Sequence, residues 1–506
     1  MQTTPAAAFL AVDLGSSSGR VMLGILDAHR QRMTMSEVVR FTNRPVPMPE
    51  GLGWDLDALW EGVLDGLADG CVAAASVGAD LRGIGVDSWG VDYVRLRADG
   101  GLRPFARHHR DVDAALAAAT SAGRDLAADY ASTRVLDQAI NTAHQLRQDE
   151  RDAIGADDDT ILPIADAFVF SLTGTVAAER SLASTTALVD RARDDWSPAL
   201  TSGIRGLLPP LADAGGTAGR TTPEVTARIG ASAPVPVWFV TAHDTAAAFS
   251  AVGAPAEPDE ELTAVVACGS WAVAGVTLPT PLLTESARRR GFTQEIGAEG
   301  ATLLVRNLSG MWLLQQATRE WAAEDGRDEE PAAVLRGLLD AAAASHYPGR
   351  FDPADPALQA PGGLVERLVA LCAAAAGAPP SSRADVVRAI VASLASAYAR
   401  TVADVEELTG RPVAGIRLVG GGARGDLLCA LTAQAAGRPV LAGPAEASVR
   451  GVLLQLAVAA GDVADLAAAR AIEIDDGEAP ARLFPAARTA SPAHPGTAPS
   501  RIGGAA

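Results

Sequence analysis

An α/β protein of two related domains is what this chain predicts, and three observations carry that reading. The first is a strand–turn–strand unit near the start: Phe9-Leu10-Ala11-Val12, a Gly/Ser-rich turn, then Val21-Met22-Leu23-Gly24-Ile25-Leu26. The second is the same plan further on, where Leu262 to Ala267 and Ala272 to Leu278 flank the tight turn Cys268-Gly269-Ser270-Trp271. The third is a strand–turn–helix–strand unit between Gly415 and Ala442, a connection that builds a parallel sheet. A chain of 506 residues can bury a large core divided among several domains.

Taken in order, residues 8–26 read as a hairpin. Residues 55–78 carry apolar side chains at helical spacing (Leu56, Leu59, Trp60, Val63, Leu64, Leu67, Val72). Leu81 to Val86 and Val91 to Leu96 read as strands on either side of Asp87-Ser88-Trp89-Gly90. Residues 112–152 read as mostly helical, and 160–174 as a short helix capped by Gly174. Pro234 to Thr241 reads as a buried strand that ends in Ala242-His243-Asp244-Thr245, where an Ala-rich helix starts. Ala254 to Glu261 is rich in Pro, Glu and Asp and reads as an exposed linker. Leu304 to Leu314 reads as an apolar helical run carrying Asn307 and leading to Gln315. A long helix covers 383–409. It is followed by the strand Gly415 to Val419, the turn Gly420-Gly421-Gly422, a helix through Leu427, Leu428, Leu431 and Ala435, and the strand Arg438 to Ala442. A last helix spans about 447–461. This divides the chain into domains 1–250 and 251–475, and the Ala/Pro/Ser/Gly-rich tail 476–506 is expected to be disordered.

Composition narrows the function classes. A hydrophobic share of 48% with 20% charged residues belongs to a globular protein. The formal net charge of −19 repels nucleic acid and anionic membranes, so the expected partners are small molecules. Cys71, Cys268, Cys372 and Cys429 are far apart, without zinc-ligand spacing, and read as free thiols of a reducing compartment. The start, Met-Gln-Thr-Thr-Pro, has neither the basic end nor the apolar core of a signal peptide, and no uninterrupted apolar stretch approaches the ~20 residues that span a bilayer. The expectation is a cytoplasmic monomer or homodimer.

The first turn, Asp13-Leu14-Gly15-Ser16-Ser17-Ser18-Gly19-Arg20, carries the most chemistry. Glycines and serines in a tight turn present backbone N–H groups and hydroxyls that suit phosphate oxygens. A strand-end Asp beside them can hold a hydrated Mg²⁺. The chain contains no lysine at all. Walker-type phosphate loops and protein kinases place a lysine on the phosphates, so both are excluded. Taken alone the turn is equally a plain hairpin connection. The Gly269-Ser270 turn and the Gly420 triplet are weak signals separately. In this order, each on a strand end, the three turns match the two phosphate loops and the adenosine loop of the actin-like (ribonuclease H-like) ATPase fold, two domains with a nucleotide cleft between them.

Asp244 sits at a strand-to-helix junction. It reads either as a helix N-cap or as the carboxylate that accepts a hydroxyl proton in phosphoryl transfer. His243 beside it reads as a surface residue or a ligand for substrate hydroxyls. Asp87, Ser88, Trp89 and Asp92 gather carboxylates, a hydroxyl and an indole at one turn. That suits a sugar and equally suits a hairpin over a core Trp. Trp54-Asp55 is similarly ambiguous. Asn307 and Gln315, embedded in apolar surroundings, need partners, of which a ligand is one.

With these residues assembled, the chain resembles the FGGY carbohydrate kinases, and within them the rhamnulokinases, up to about residue 460. The matching segments are Ala11 to Leu23, Trp54-Asp55, Ile84 to Tyr93, His243-Asp244-Thr245-Ala246, Gly297-Ala298-Glu299-Gly300, Gly420-Gly421-Gly422 and Ala442 to Ala447. The Ser-Ser-Gly-Arg extension and the Asp-Ser-Trp-Gly-Val-Asp turn set it apart from glycerol, xylulose and gluconate kinases. The resemblance implies ATP- and Mg²⁺-dependent phosphorylation of L-rhamnulose at its 1-hydroxyl. It implies that Ser16, Ser17, Ser18, Gly19 and Arg20 hold ATP phosphates with Asp13 near the metal. Ser270 would bind phosphate from the second turn, and Gln315 and Gly421 would contact the nucleotide. Gly90, His243, Thr245 and Asn307 would line the sugar site, with Asp244 as proton acceptor. The chain departs from the family pattern at His109, before Arg110-Asp111, where an aromatic is usual. It departs again at Ala165-Asp166, at Ser270, and at Arg424-Gly425-Asp426 after the Gly triplet. These leave room for another ketose, such as L-fuculose or D-xylulose. The reading from a different class is an actin-like sugar sensor that binds without transferring.

Overall fold

The computed structural model describes residues 5–27, 29–253, 260–327, 332–359, 362–477 and 480–486. In the first half, β1 (Ala7–Leu14) and β2 (Ser18–Leu26) form the expected hairpin, and β3 (Arg32–Thr42) continues it antiparallel. Helix α1 (Leu56–Ser76), opened by an Asp55 side chain that accepts from Ala58 N, leads to β4 (Asp80–Ser88). β4 lies parallel to β1, with Asp13 opposite Asp87. β5 (Thr217–Arg220) and the short β6 (Pro236–Trp238) extend the sheet, which runs β5-β6-β4-β1-β2-β3.

The second half repeats this plan. β7 (Leu262–Cys268) and β8 (Trp271–Leu278) are antiparallel; β9 (Thr293–Ile296) and β10 (Thr302–Ser309) extend that edge, and β11 (Val413–Val419) and β12 (Val440–Ala442) run parallel on the other side of β7. The orders β3-β2-β1-β4-β6 and β10-β8-β7-β11-β12 carry the same sequence of antiparallel and parallel pairings.

β1 is buried along its whole length because helices cover both faces. Leu10, Val12 and Leu14 pack with Leu59, Val63 and Leu67 of α1. Phe9 and Ala11, on the opposite face, pack with Val449, Val452, Leu453 and Leu456. Those residues belong to a helix from the end of the chain, Ala447–Ala459, so the second half supplies one layer of the first sheet. Where this helix crosses Asp244–Ser250, a Cβ on Gly451 would lie 2.0 Å from Ala247 O, so only glycine permits the approach.

Several expectations change. Leu304 to Leu314 is not one helix: Asn307 lies on β10, and a helix starts only at Trp312 (Trp312–Glu324), carrying Gln315. β4 does not pair with the strand after it; Tyr93–Leu96 pairs with Thr160–Pro163 instead. The buried strand before His243 is only Pro236–Trp238. The segment 476–506 is not wholly without structure, since Arg482–Phe484 pairs with β12; just before it, Glu473–Asp475 pairs with β3 of the first sheet. Residues 254–259 of the expected linker, and 478–479 and 487–506 of the tail, lie outside the described residues. Among the described residues one helix, Arg383–Thr409, is long and apolar enough to cross a membrane, and 78% of its apolar stretch is buried in the protein.

Candidate active site

The carboxyl ends of β1 and β4 and the turn between β7 and β8 open onto one cavity of about 530 Å³ between the two sheets. It gathers Asp13, Ser16, Ser17, Ser18, Arg20, Gly90, His243, Asp244, Thr245, Ser270, Asn307 and Gly421. Ligands of open α/β sheets bind at this end of the strands. A second cavity, about 660 Å³, lies at the amino ends of β4 and β6, beside Arg82, Arg220 and Trp238, and holds none of these residues. Gly19 and Gln315 are outside the lining. Gly19 faces the Phe41 ring, where a Cβ would sit 2.2 Å from a ring carbon. Gln315 reaches the site indirectly, accepting a hydrogen bond from the Ser270 hydroxyl at 3.3 Å.

Asp13 is tied to the far end of the chain. Its Oδ2 accepts from Arg20 Nη2 at 2.6 Å and from the Ser448 hydroxyl at 2.5 Å. The other guanidinium arm of Arg20 meets Glu446 at 2.5 Å. Burial alone would lower the Arg20 pKa, but the charges of Asp13 and Glu446 outweigh it and raise it. Behind Asp13, Asp87 is fully buried and neither carboxylate oxygen has a hydrogen-bond partner. Burial, with the charges of Asp13 and Asp244, pushes the Asp87 pKa well up.

Asp244 is not the N-cap. His243 occupies that position, and Asp244 is the first helical residue, its carboxylate accepting from Thr245 N at 2.5 Å and from the Thr245 hydroxyl at 3.2 Å. Its side chain stays 36% exposed, toward the cavity. Burial raises its pKa, His243 opposes that, and the charge of Asp13 adds to it. The approach to Asp244 is pinned from behind. Ala242 N donates to Glu179 Oε2 at 3.0 Å, and His243 N donates to the Ser181 hydroxyl at 3.2 Å.

In the Trp89-Gly90-Val91-Asp92 wall, Asp92 does not reach into the cavity as a carboxylate for sugar hydroxyls. Asp92 is buried behind the cavity and accepts from Trp54 Nε1 (2.7 Å), Trp89 Nε1 (2.8 Å), His109 Nδ1 (2.9 Å) and Gln145 Nε2 (2.9 Å). Burial would raise its pKa; His109 and the two indoles outweigh that and lower it. Trp54 and Trp89 stack with ring centroids 4.4 Å apart. Val91, on the cavity wall, has φ 67°, rare for a β-branched residue, and is held there by the Thr185 hydroxyl on its N–H at 3.0 Å. In the third turn Gly420 has φ 83°, and a Cβ there would meet Cys268 O at 2.8 Å, which brings that turn against the Cys268–Trp271 turn.

Sequence reasoning missed Thr293, Glu295, His109 and Ser448, all of which line the cavity. Thr293 and Glu295 alternate along β9, a signal of one shared face, but nothing local says that this face meets Asp244.

Two family models match. The N-terminal domain of the FGGY family of carbohydrate kinases covers residues 8–253, and its C-terminal domain covers 264–460. The chain belongs to the FGGY family of carbohydrate kinases. It is 31% identical over 476 residues to a rhamnulokinase of Bacteroides thetaiotaomicron, covering 91% of this chain and 93% of that protein. It is 34% identical over 476 residues to a rhamnulokinase of Pectobacterium carotovorum, covering 91% and 90% respectively. In fold it is similar to a ligand-bound xylulose kinase from Lactobacillus acidophilus, with a TM-score of 0.73 at 14% identity over 95% of this chain and 94% of that one. The chain is therefore a sugar kinase of two actin-like α/β domains, as its three turns predict.

Proposed function

We propose that this FGGY kinase transfers the γ-phosphoryl group of ATP to the 1-hydroxyl of L-rhamnulose. The observation that carries the reading is the place of Asp244. Its carboxylate opens onto the one cavity that also holds the Ser16–Ser18 turn, Ser270 and the Trp89-Gly90 wall. The names of the two relatives supply the sugar.

In this reading the backbone and hydroxyls of Ser16, Ser17 and Ser18 hold phosphate oxygens from one side, and Ser270, steadied by Gln315, holds them from the other. Gly421 borders the nucleoside. Arg20, already fixed by Asp13 and Glu446, adds a preorganised positive charge beside the phosphates. Gly90, His243, Thr245 and Asn307 border the sugar. Asp244 accepts the proton of the attacking hydroxyl; a carboxylate whose pKa is raised by burial is better matched to that task near neutral pH. Closing the two sheets on the cavity excludes the water that would otherwise take the phosphoryl group.

The residues present fit Mg²⁺. Asp13 offers a hard oxygen donor, and the unpartnered oxygens of Asp87 lie behind it. Among the described residues no group of three or more His, Cys, Asp or Glu could cage an ion, which suits a metal that keeps its waters and leans on phosphates. When bound, Mg²⁺ neutralises charge developing on the phosphoryl oxygens. The proposal places the enzyme in the cytoplasm as a monomer or homodimer, in keeping with four unpaired cysteines.

A coupled assay of ADP release over L-rhamnulose, L-fuculose, D-xylulose and no sugar tests it. The expected result is the highest kcat/KM with L-rhamnulose. A preference for another ketose overturns the substrate, and no ADP release with any of them overturns the kinase reading in favour of a sensor.

A further inference from the structure

The roof of the cavity comes from the second half of the chain and carries buried polar atoms whose hydrogen-bonding capacity is not filled. Thr293 and Glu295 lie on β9, two residues apart and so on one face, and both line the cavity. Thr293 is 4% exposed and Glu295 5% exposed. Thr293 Oγ1 and Glu295 Oε2 have no hydrogen-bond partner, and neither has His243 Nδ1 on the facing wall. His243 Nδ1 and Glu295 Oε2 pair across 3.0 Å, off the line of a well-aligned hydrogen bond, so each keeps capacity for a further partner.

The same strand treats its other face differently. Gln294, between the two, is also buried, yet its side chain donates to Tyr130 OH (3.0 Å) and Leu282 O (2.9 Å) and accepts from Leu282 N (2.7 Å). Folding therefore satisfies the face of β9 that points away from the cavity and leaves the cavity face open. Buried polar groups without partners are rare, and those that remain call for an explanation. An ionised carboxylate only accepts, so its missing partner is a donor; a threonine hydroxyl does both. The hydroxyls of a ketose supply both.

We propose that Glu295 and Thr293 bind hydroxyl groups of the acceptor sugar, with one hydroxyl bonding beside the Glu295–His243 pair. This rests on the reading of the chain as a ketose kinase and adds β9 to Asn307 of the neighbouring β10 as a second-domain contact with the sugar. β9 also docks on the first half through its backbone. Gln294 N donates to Arg134 O at 2.8 Å, and Ile296 N donates to the Ser184 hydroxyl at 3.1 Å. β10 joins β9 to β8, which begins at the second phosphate turn. Sugar held by Glu295 thus fixes the sheet that carries Ser270, and an empty sugar site leaves it less constrained.

The test is calorimetric binding of L-rhamnulose and of its singly deoxygenated analogues to wild type, Glu295→Gln and Thr293→Val, with ADP binding measured in parallel. The expected result is at least a roughly tenfold weaker Kd for L-rhamnulose in Glu295→Gln, ADP affinity unchanged, and no difference between wild type and variant for the one analogue lacking the bonded hydroxyl. Thr293→Val, which keeps shape and removes the hydroxyl, is expected to show the same pattern for a different analogue. Unchanged sugar affinity in both variants overturns the inference, as does an equal loss for every analogue, which marks a structural role. Wild-type protein that turns over a ketose other than L-rhamnulose overturns the substrate alone, and the same comparison is then made on that ketose. Wild type that binds no ketose overturns this inference together with the kinase reading.

Discussion

Gln455 Oε1 accepts two hydrogen bonds from Thr241, one from its backbone N at 2.8 Å and one from its hydroxyl at 2.7 Å. The amide nitrogen of Gln455 donates to the Ser250 hydroxyl at 3.0 Å. A residue from the last long helix therefore ties the segment leading into Asp244 to the last residue of the short helix that Asp244 begins. Gln455→Leu keeps the volume and strands a buried Thr241 N–H, which costs about 1–3 kcal/mol. Displacing Asp244 by even a fraction of its reach lowers kcat by about 10- to 100-fold. The expected outcome is a fall in kcat with KM for sugar nearly kept, and a lower thermal midpoint. Normal kcat in a folded variant would show that Asp244 needs no such support.

Asp244→Asn separates binding from chemistry. The amide keeps the contacts with Thr245 and cannot take a proton. Loss of a general base lowers kcat by about 10²–10⁴-fold, while the sugar Kd measured by calorimetry stays within a few-fold of wild type. Near-normal turnover would falsify the role of Asp244 as proton acceptor.

Much of this site was legible in the chain because its parts are local. The turns at Asp13 to Arg20, Gly269-Ser270 and Gly420 to Gly422 each follow a short apolar run that ends in glycine or serine, which marks a strand end. What was not legible depends on chain separation. No local pattern says that Ser448 meets Asp13, or that Glu295 faces His243. Asn307 was misplaced because Leu304, Leu308 and Met311 recur at helical spacing, although the strand runs to Ser309 and the helix starts only at Trp312. Asp87 and Asp92 suited a sugar site by residue type, but sequence does not reveal that both carboxylates are buried behind the wall.

Asp13→Ala is expected to raise the Mg²⁺ concentration for half-maximal activity at least about tenfold. The same substitution removes a charge partner of Arg20 and the acceptor of the Ser448 hydroxyl. Asp13→Asn keeps the shape and the Ser448 contact, so comparing the two separates metal binding from the tether between chain ends. ATP titration at several Mg²⁺ concentrations reads it, and Mg²⁺ profiles identical to wild type in both variants refute the assignment.

His108 makes the protein acid-sensitive. Its ring stacks on Trp54 and His109 at 4.4 and 4.3 Å, and its Nδ1 accepts from Arg110 N at 3.0 Å. Burial, with the charge of His109 adding, lowers its pKa to about 3. An unfolded histidine titrates near about 6.5. The folded state thus holds the neutral ring while the unfolded state gains a proton below that pH. The stability this provides is fully present above about 6.5 and is lost as pH falls toward about 3. Urea midpoints at pH 7.5, 6.0 and 5.0 check this: the gap between wild type and His108→Gln narrows as pH falls. A constant gap would count against it.

Arg110 lies between two tryptophans of the opposite half, 5.0 Å from the Trp271 ring centroid and 5.2 Å from that of Trp312. Trp271 follows Ser270 in the second phosphate turn, and Trp312 opens the helix that carries Gln315. Arg110 itself follows His109, which is bonded to Asp92 behind the sugar wall. One guanidinium therefore joins the segment next to Asp92 to the elements that carry Ser270 and Gln315, two of the residues expected on the nucleotide. Each such contact contributes about 0.5–1 kcal/mol at exposed sites, so Arg110→Ala weakens the closed arrangement by about 1–2 kcal/mol. Because closure serves both substrates, KM for sugar and for ATP rise together, each by roughly 5- to 30-fold. Arg110→Lys keeps the charge but not the flat stacking surface and recovers only part of the loss. A change in one KM without the other would place Arg110 in a single binding site rather than at the join between the two halves.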